Sequence, residues 1–304
     1  MKVLMISTDQ KMFDSNSEVR LRMLGYAANL QELFIVVLGV NQPLSSVGQL
    51  GCFGLTRWRA LWWRPESRFD LVTAQDPFEN GFIGWLWAKK LGTKLELQIH
   101  TDFLSLYFVK SSALNRIRVS LAKFLLPRAD HIRVVSQRIR DSLNSKIYNL
   151  KTVPEVRPIA VDVDKIKNTP ITIDLHQKYP QFKKIILMAS RLTKEKNFGL
   201  ALAAMKIIAT TRPDIGLLVV GSGPESILPT ANVITESWVD HQALISYYKT
   251  ADLFLLTSFY EGYGLTLVEA QAAGCPIIST DVGIARESGA TLTPHDATAL
   301  AKII

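Results

Sequence analysis

The chain has 304 residues, 48% of them apolar, so two domains with sizeable cores are within reach. Its longest apolar runs, LFIVVLGV and GFIGWLWA, fall far short of the roughly 18 residues of a membrane span, and MKVLMIS is too short for a secretory leader. Cys52 and Cys275 stand far apart without metal-ligand spacing, which reads as a reduced, cytoplasmic protein. The net charge of +8 is lopsided: residues 1–151 carry 21 Lys and Arg against 12 Asp and Glu, while residues 152–304 carry 14 against 15.

In chain order, KVLMIS, LFIVVLG, DLVTAQ, KLELQIH and HIRVVS read as strands, with helical patterns over 17–31, 57–64, 79–91 and 110–126. KIILMAS, IGLLVVG, NVITES, DLFLLTS and PIIST follow as strands, with helices near 197–211, 241–250 and 265–273. Strand–helix alternation of this kind makes parallel sheets with helices on both faces, an α/β fold. The ten strands divide five and five about VPEVRPIAVDVDKIKNTP, a stretch rich in proline and charge. The sequence therefore predicts two doubly wound, Rossmann-like domains, 1–160 and 161–304.

In such sheets ligands bind beyond the carboxyl ends of the strands. Three of these ends in the second half carry unusual residues. After KIILMAS comes RLTKEKN, with Arg191, Lys196 and Asn197, the last placed to cap a helix. After IGLLVV comes GSGP, where Gly221 and Gly223 allow close backbone approach. After DLFLLTS comes EGYGLTLVE, with Glu261 in a loop, Gly262 and Gly264 in a tight turn, and Glu269 on a helix that ends at Gly274. Helical side chains lean toward the N-terminus, so Glu269 is expected to point back to the strand ends, beside Leu265, Val268 and Ala272. A carboxylate in that setting needs partners, and the two hydroxyls of a ribose would serve. Two cations and a helix start suit a diphosphate.

SRLTKEKN, VVGSGPE and YYKTADLFLLTSFYEGYGLTLVEAQAAGCPIIST together resemble the nucleotide-sugar half of glycosyltransferase family 4, retaining enzymes of the GT-B fold, over residues 185–283. EGYGLTLVE matches the family's Glu-x7-Glu motif. The resemblance implies two Rossmann-like domains facing a central cleft, and sugar transfer from a nucleoside-diphosphate sugar to an acceptor hydroxyl in cell-envelope glycan or glycolipid synthesis. It implies that Glu269 binds ribose and Glu261 the donor sugar, that Arg191 and Lys196 hold the diphosphate, and that Gly221, Gly223, Gly262, Tyr263, Gly264 and Leu265 line the donor. LQIHTDF resembles the strand end where the family keeps a histidine near the transferred sugar, which points to His100 with Asp102 behind it. DLVTAQDP fits the preceding strand and places Asp76 toward the same site. Catalysis would rest on His100, Glu261, Arg191 and Lys196, with no cofactor and no metal beyond the donor substrate. Asp162 and Asp164 mimic an Asp-x-Asp metal site but sit in the linker stretch.

The sequence departs from the family's pattern twice. The first loop, STDQKMFDSNSE, lacks the family's glycine pair, leaving Ser15 and Asn16 to serve the turn. The chain stops at TALAKII, where the family usually continues, so the C-terminal end is expected to be short. Glycosidase chemistry has no use for a cationic clamp beside its carboxylates. MISTDQKMF lacks the dinucleotide glycine turn. A sugar-nucleotide epimerase and a non-catalytic nucleotide-sugar-binding protein of the same fold stay open.

The basic first half favours an acidic partner. That partner is anionic lipid, nucleic acid or a phosphorylated substrate; no nucleic-acid motif is recognisable, and two local patterns point to anionic membrane, with a lipid-linked acceptor. In SALNRIRVSLAKFLL, Leu114, Ile117, Leu121, Phe124 and Leu125 share a helical stripe, with Arg116 and Lys123 opposite and Arg118 at its border. In TRWRALWWRP, Trp58, Leu61 and Trp62 share a face, while Trp63 projects elsewhere among Arg57, Arg59 and Arg64.

Overall fold

The computed structural model describes residues 1–65 and 67–304. It divides into two units, Met1–Arg157 and Pro158–Ile304.

The first unit runs β1 Lys2–Ser7, α1 Glu18–Ala27, β2 Glu32–Leu38, β3 Ser45–Val47, β4 Leu50–Leu55, α2 Arg57–Trp62, β5 Leu71–Ala74, α3 Glu79–Leu91, β6 Lys94–Ile99, α4 Leu106–Ser111, α5 Ala113–Leu125, β7 His131–Val134, α6 Gln137–Lys146 and β8 Glu155–Val156. Its sheet has the order β3-β4-β2-β1-β5-β6-β7-β8. All neighbours are parallel except the edge pair of β3 with β4.

The second unit runs α7 Val163–Asn168, α8 Leu175–Lys178, β9 Lys184–Ala189, α9 Phe198–Ile208, β10 Ile215–Val220, β11 Val233–Glu236, α10 His241–Thr250, β12 Leu253–Leu256, α11 Leu265–Ala272, β13 Ile277–Thr280, β14 Thr291–Thr293 and α12 Ala297–Ile303. Its strands lie in the order β11-β10-β9-β12-β13-β14 and are parallel throughout.

The alternation of side chains along each strand divides the second core in two. Ile185, Leu187, Leu218, Phe254 and Leu256 pack on one face with Tyr247, Tyr248 and Leu267 of α10 and α11. Ile186, Met188, Leu217, Val219 and Leu255 pack on the other with Phe198, Ala201 and Met205 of α9. Burying one such large side chain contributes about 1.5–3 kcal/mol. With helices on both faces, β10 is buried at every position, which is why its sequence reads as an unbroken apolar run.

The sheets have eight and six strands rather than five and five. LGCFGL, which forms β4, was not among the expected strands. A Cβ on Gly51 would lie 2.6 Å from the Phe34 ring, and one on Gly54 would lie 2.7 Å from the Gln42 backbone nitrogen, so glycine is what lets this strand fit. The proline-rich joint is not bare linker: it contains β8 and α7, and Asp162 caps α7 by accepting from Lys165 N at 2.9 Å. The helix expected over 110–126 is two, α4 and α5, broken at Ser112, which caps the second. The glycine-free first loop winds into a 3-10 turn at Gln10–Phe13. Asp9, Asp14 and Ser17 cap this segment rather than Ser15 and Asn16, with bonds of 3.0, 3.0 and 3.2 Å to Lys11 N, Asn16 N and Arg20 N. No residue of this loop takes a positive φ, so no glycine is required there.

Candidate functional site

In the second sheet β10 and β11 extend to one side of β9, while β12 and β13 extend to the other. The chain changes direction between β9 and β12, and this switch point opens at the carboxyl ends of the two strands. Lys196 follows β9 and Glu261 follows β12. Their side chains meet there, Lys196 Nζ lying 2.5 Å from Glu261 Oε1. Ser258 Oγ donates to the same oxygen at 2.8 Å. The Lys196 and Glu261 side chains are 15% and 14% exposed, whereas Arg191 is 70% exposed and pairs with Glu195 at 3.7 Å. The structure thus brings Lys196 and Glu261 together and sets Arg191 at the rim.

Backbone bonds hold the two loops. Phe259 N donates to Glu195 O at 2.8 Å, and Thr257 Oγ1 reaches the carbonyls of Lys196 and Asn197 at 2.9 and 3.0 Å. Asn197 takes the cap position of α9 with a φ of 50°, but its side chain does not cap. Its Nδ2 lies 3.4 Å from His295 Nδ1. Gly264 opens α11 with a φ of 92°, also without a side-chain cap. Two helices therefore present uncapped amino ends beside the switch point, and such ends carry partial positive charge. Leu265, the first residue of α11, is 41% exposed.

The glycine turn after β10 has an explanation inside the protein. A Cβ on Gly221 would lie 1.9 Å from Ser190 O, and one on Gly223 would lie 2.2 Å from Leu192 O. Leu192 N donates to Ser222 O and Glu225 N to Leu192 O, both at 3.0 Å. The turn therefore grips the Arg191 loop directly. Gly283, at a φ of 51°, does the same for the Glu261 loop: a Cβ there would lie 2.3 Å from Tyr263 O, which accepts from Ile284 N at 3.0 Å.

Glu269 finds partners within the chain, where the sequence pointed to a ligand. Its Oε2 accepts from Tyr248 Oη at 3.1 Å, and its Oε1 lies 3.4 Å from His241 Nε2. Both partners belong to α10. Burial and the facing Glu269 carboxylate push the Tyr248 hydroxyl well above its ordinary pKa, so it remains a donor. Sequence reading missed Tyr248, His241, Ser258 and Gly283. For Gly283 the signal was present, a glycine closing STDVG just past a strand. Tyr248, within ISYYKT, reads only as core.

In the first unit, His100 follows β6, and its Nε2 lies 3.3 Å from Gln98 Oε1 rather than on Asp102. His100 is exposed by surface area, although the atoms crowded around its ring still desolvate it. That desolvation, with Arg133 and Arg22 nearby, lowers its pKa to about 4. Burial raises the Asp102 carboxyl, opposed by Lys146 and Arg138. Asp76 accepts from Phe78 N at 2.8 Å and from Asn80 Nδ2 at 2.5 Å, so it fastens the turn into α3. Burial raises its pKa too.

Two family descriptions match the chain: Glycosyltransferase Family 4 over residues 16–165 and Glycosyl transferases group 1 over residues 174–304. The chain is 26% identical over 234 residues to alpha-monoglucosyldiacylglycerol synthase of Streptococcus pneumoniae, covering 70% of this chain and 52% of that protein. It is 33% identical over 129 residues to 2-deoxystreptamine N-acetyl-D-glucosaminyltransferase of Niallia circulans, covering 40% and 32%. Thus it spans about half or less of these relatives' length. Among solved structures, sucrose-phosphate synthase of Thermosynechococcus elongatus superposes with a TM-score of 0.75 at 19% identity, covering 99% of this chain and 88% of the other. Anabaena HepE, solved with UDP and glucose, superposes with a TM-score of 0.69 at 17% identity, covering 100% and 88%. At these identities the likeness is one of fold, the GT-B class with its two parallel-sheet Rossmann-like units. The two family matches together leave only short stretches of sequence outside them, and the chain belongs to glycosyltransferase family 4.

Proposed function

We propose that the second unit binds a nucleoside-diphosphate sugar at the β9–β12 switch point and that the protein transfers the sugar, with retention, to an acceptor hydroxyl. The observation that carries this reading is the shielded Lys196–Glu261 pair between two uncapped helix starts. An ammonium has three donors, and Glu261 engages one. The others suit phosphate oxygens, with the amino ends of α9 and α11 adding positive potential. Glu261 spends Oε1 on Lys196 and Ser258, which leaves Oε2 to accept from a sugar hydroxyl. Glu269, held by Tyr248 and His241, accepts from ribose hydroxyls.

In the reaction the bond from the anomeric carbon to the diphosphate oxygen breaks and a bond to the acceptor oxygen forms. The nucleoside diphosphate departs with the bonding electron pair, and the acceptor proton passes to its departing oxygen. Lys196 and the helix amides stabilise that developing charge, an oxyanion-type contribution. A neutral His100 can donate or accept at a hydroxyl. A glycolipid or glycan acceptor of the cell envelope fits this reading. The monoglucosyldiacylglycerol named for one relative and the UDP bound to HepE support the choice of first substrates. The test is a panel of UDP- and GDP-sugars assayed for hydrolysis and for transfer to diacylglycerol. Release of nucleoside diphosphate from one donor, lost in Lys196→Ala, supports the proposal. Binding of nucleotide sugars without turnover of any would favour the non-catalytic reading instead.

A further inference from the structure

We infer that the outer face of the α2–α3–α5 layer in the first unit is a docking surface for an anionic lipid bilayer. The layer's inward side is fully occupied. Ala60, Trp87, Val119, Ala122 and Leu125 are buried, and Trp87 Nε1 donates to Ala60 O at 3.0 Å. Trp63 turns inward as well, its ring tilted against Phe53 at 5.2 Å and Trp87 at 4.7 Å, rather than standing among the arginines. The apolar stripe read along α5 is therefore mostly the outer one, with Leu125 alone of its members turned to the core.

The outward side is apolar where a surface layer would ordinarily be polar. Trp58, Trp62 and Ile117 are 71%, 73% and 65% exposed. Trp58 and Trp62 are one helical turn apart, roughly opposite buried Ala60. Half-buried Phe82 and Trp85 and exposed Phe124 add rings to this side of the layer: Phe82 lies 5.9 Å from Trp85, and Trp85 lies 5.5 Å from Phe124. A patch of this kind marks an interaction site.

Cations rim the patch. Lys89 Nζ lies 4.5 Å above the Trp85 ring, and the Arg128 guanidinium lies 3.8 Å above Phe124. Arg57, Arg59, Lys90, Arg116 and Lys123 are exposed on the same three helices. Their single acid, Glu79, is already bonded by Arg118 at 2.8 and 2.9 Å. Tryptophan and isoleucine at the centre, with lysine and arginine around them, match a headgroup boundary: rings enter the interface and cations reach phosphates. A polyanion such as nucleic acid would meet the cations but leave the central tryptophans and isoleucine unpaired with anything apolar. The charge of the rim selects anionic over neutral lipid, each basic side chain strengthening binding roughly fivefold.

The inference goes beyond the donor-site reading, because docking is measured without sugar transfer. The test is co-sedimentation of the full chain with vesicles of phosphatidylcholine alone or mixed with phosphatidylglycerol, with thermal melting as a folding check. Binding is expected to the anionic vesicles at low salt and to weaken at about 0.5 M salt. Reversing Arg57, Arg59, Arg116 and Lys123 to glutamate should cut it more than about 100-fold. Trp58→Ser, Trp62→Ser and Ile117→Ser together should cut it about tenfold or more. Equal binding to neutral and anionic vesicles, no binding to either, or wild-type binding by both folded variants would overturn the inference. So would a short oligonucleotide that binds more tightly than vesicles and is held equally well by the serine variant, since the face would then serve nucleic acid.

Discussion

Tyr248, fully buried on α10, donates a hydrogen bond from its hydroxyl to the Glu269 carboxylate of α11 at 3.1 Å. The phenol sets the carboxylate's direction from inside the core, while His241 approaches from the exposed side. Tyr248→Phe keeps the ring and its edge-on packing against Phe254 but strips Glu269 of a donor. Removing one partner of a shielded charged acceptor costs about 1–3 kcal/mol. Denaturant unfolding should show a loss of that size, and calorimetry should show weaker binding of a bare nucleoside. An unchanged nucleoside affinity would separate Glu269 from the ribose.

Lys196→Ala should weaken a nucleoside diphosphate by about tenfold or more while leaving the bare nucleoside nearly unaffected, because one charge-assisted contact is worth about 1.5–3 kcal/mol. Glu261→Gln keeps the shape and should spare nucleotide affinity while lowering turnover. Arg191→Ala, removing a side chain at the rim, should have the smaller effect on affinity. Titration of the variants with nucleoside and nucleoside diphosphate checks this ranking. Equal losses for both ligands in Lys196→Ala would show that the lysine serves the fold rather than the phosphates.

The glycines make a graded series. At Gly221 and Gly223 the added methyl meets backbone carbonyl oxygens at 1.9 and 2.2 Å, and backbone cannot swing aside. Either alanine variant should lose several kcal/mol, on the order of 3 or more, a size reserved for steric or strain defects. At Gly274 the φ is 78° but the space is open, so alanine costs only the left-handed strain, about 1–2 kcal/mol. Thermal melting of the three variants tests the order. Alanine tolerated at Gly223 would mean that the Arg191 loop is not held as the structure has it.

The His100 imidazole should stay neutral to well below its ordinary range, with a pKa of about 4. Between an unfolded pKa of about 6.5 and this native value, the unfolded chain takes up a proton that the native state refuses. This contribution is at its full value above the higher pKa and is lost as pH falls toward the lower. Proton NMR of the ring should show no titration near pH 6.5, and His100→Gln should lose less stability than the parent between pH 7 and pH 5. An ordinary titration midpoint would refute the assignment.

On the proposed reading, in which Lys196 and the helix amides carry the charge of a leaving diphosphate, activity should survive excess chelator. Complete loss, restored by magnesium or manganese, would reverse that reading.

Strands buried on both faces were the most legible part of the chain. IGLLVV and IILMA are short apolar runs of strand length and both are strands, and α3 and α10 run over the spans their periodicity marks. LGCFGL was not legible, because its glycines answer to Phe34 and Gln42, which are brought beside it only by sheet pairing. Lys196 and Glu261 could each be picked out from their strand ends, but not as partners of one another. That Glu269 would turn to Tyr248 and His241 depends on how α10 packs on α11, a contact with no local signature. The same limit applied to α5, whose two apolar stripes look alike until the sheet chooses one.

The bonds from Thr257 Oγ1 to the Lys196 and Asn197 carbonyls, and from Phe259 N to Glu195 O, have an evolutionary corollary. They join two segments far apart in sequence into one inherited piece. A change made in one segment is felt by the other through these bonds, so substitutions near Thr257 and near Lys196 should be epistatic. Transplanting specificity from another enzyme into this scaffold therefore requires moving residues 191–197 and 257–264 together, since either alone would arrive without the partner that shapes it.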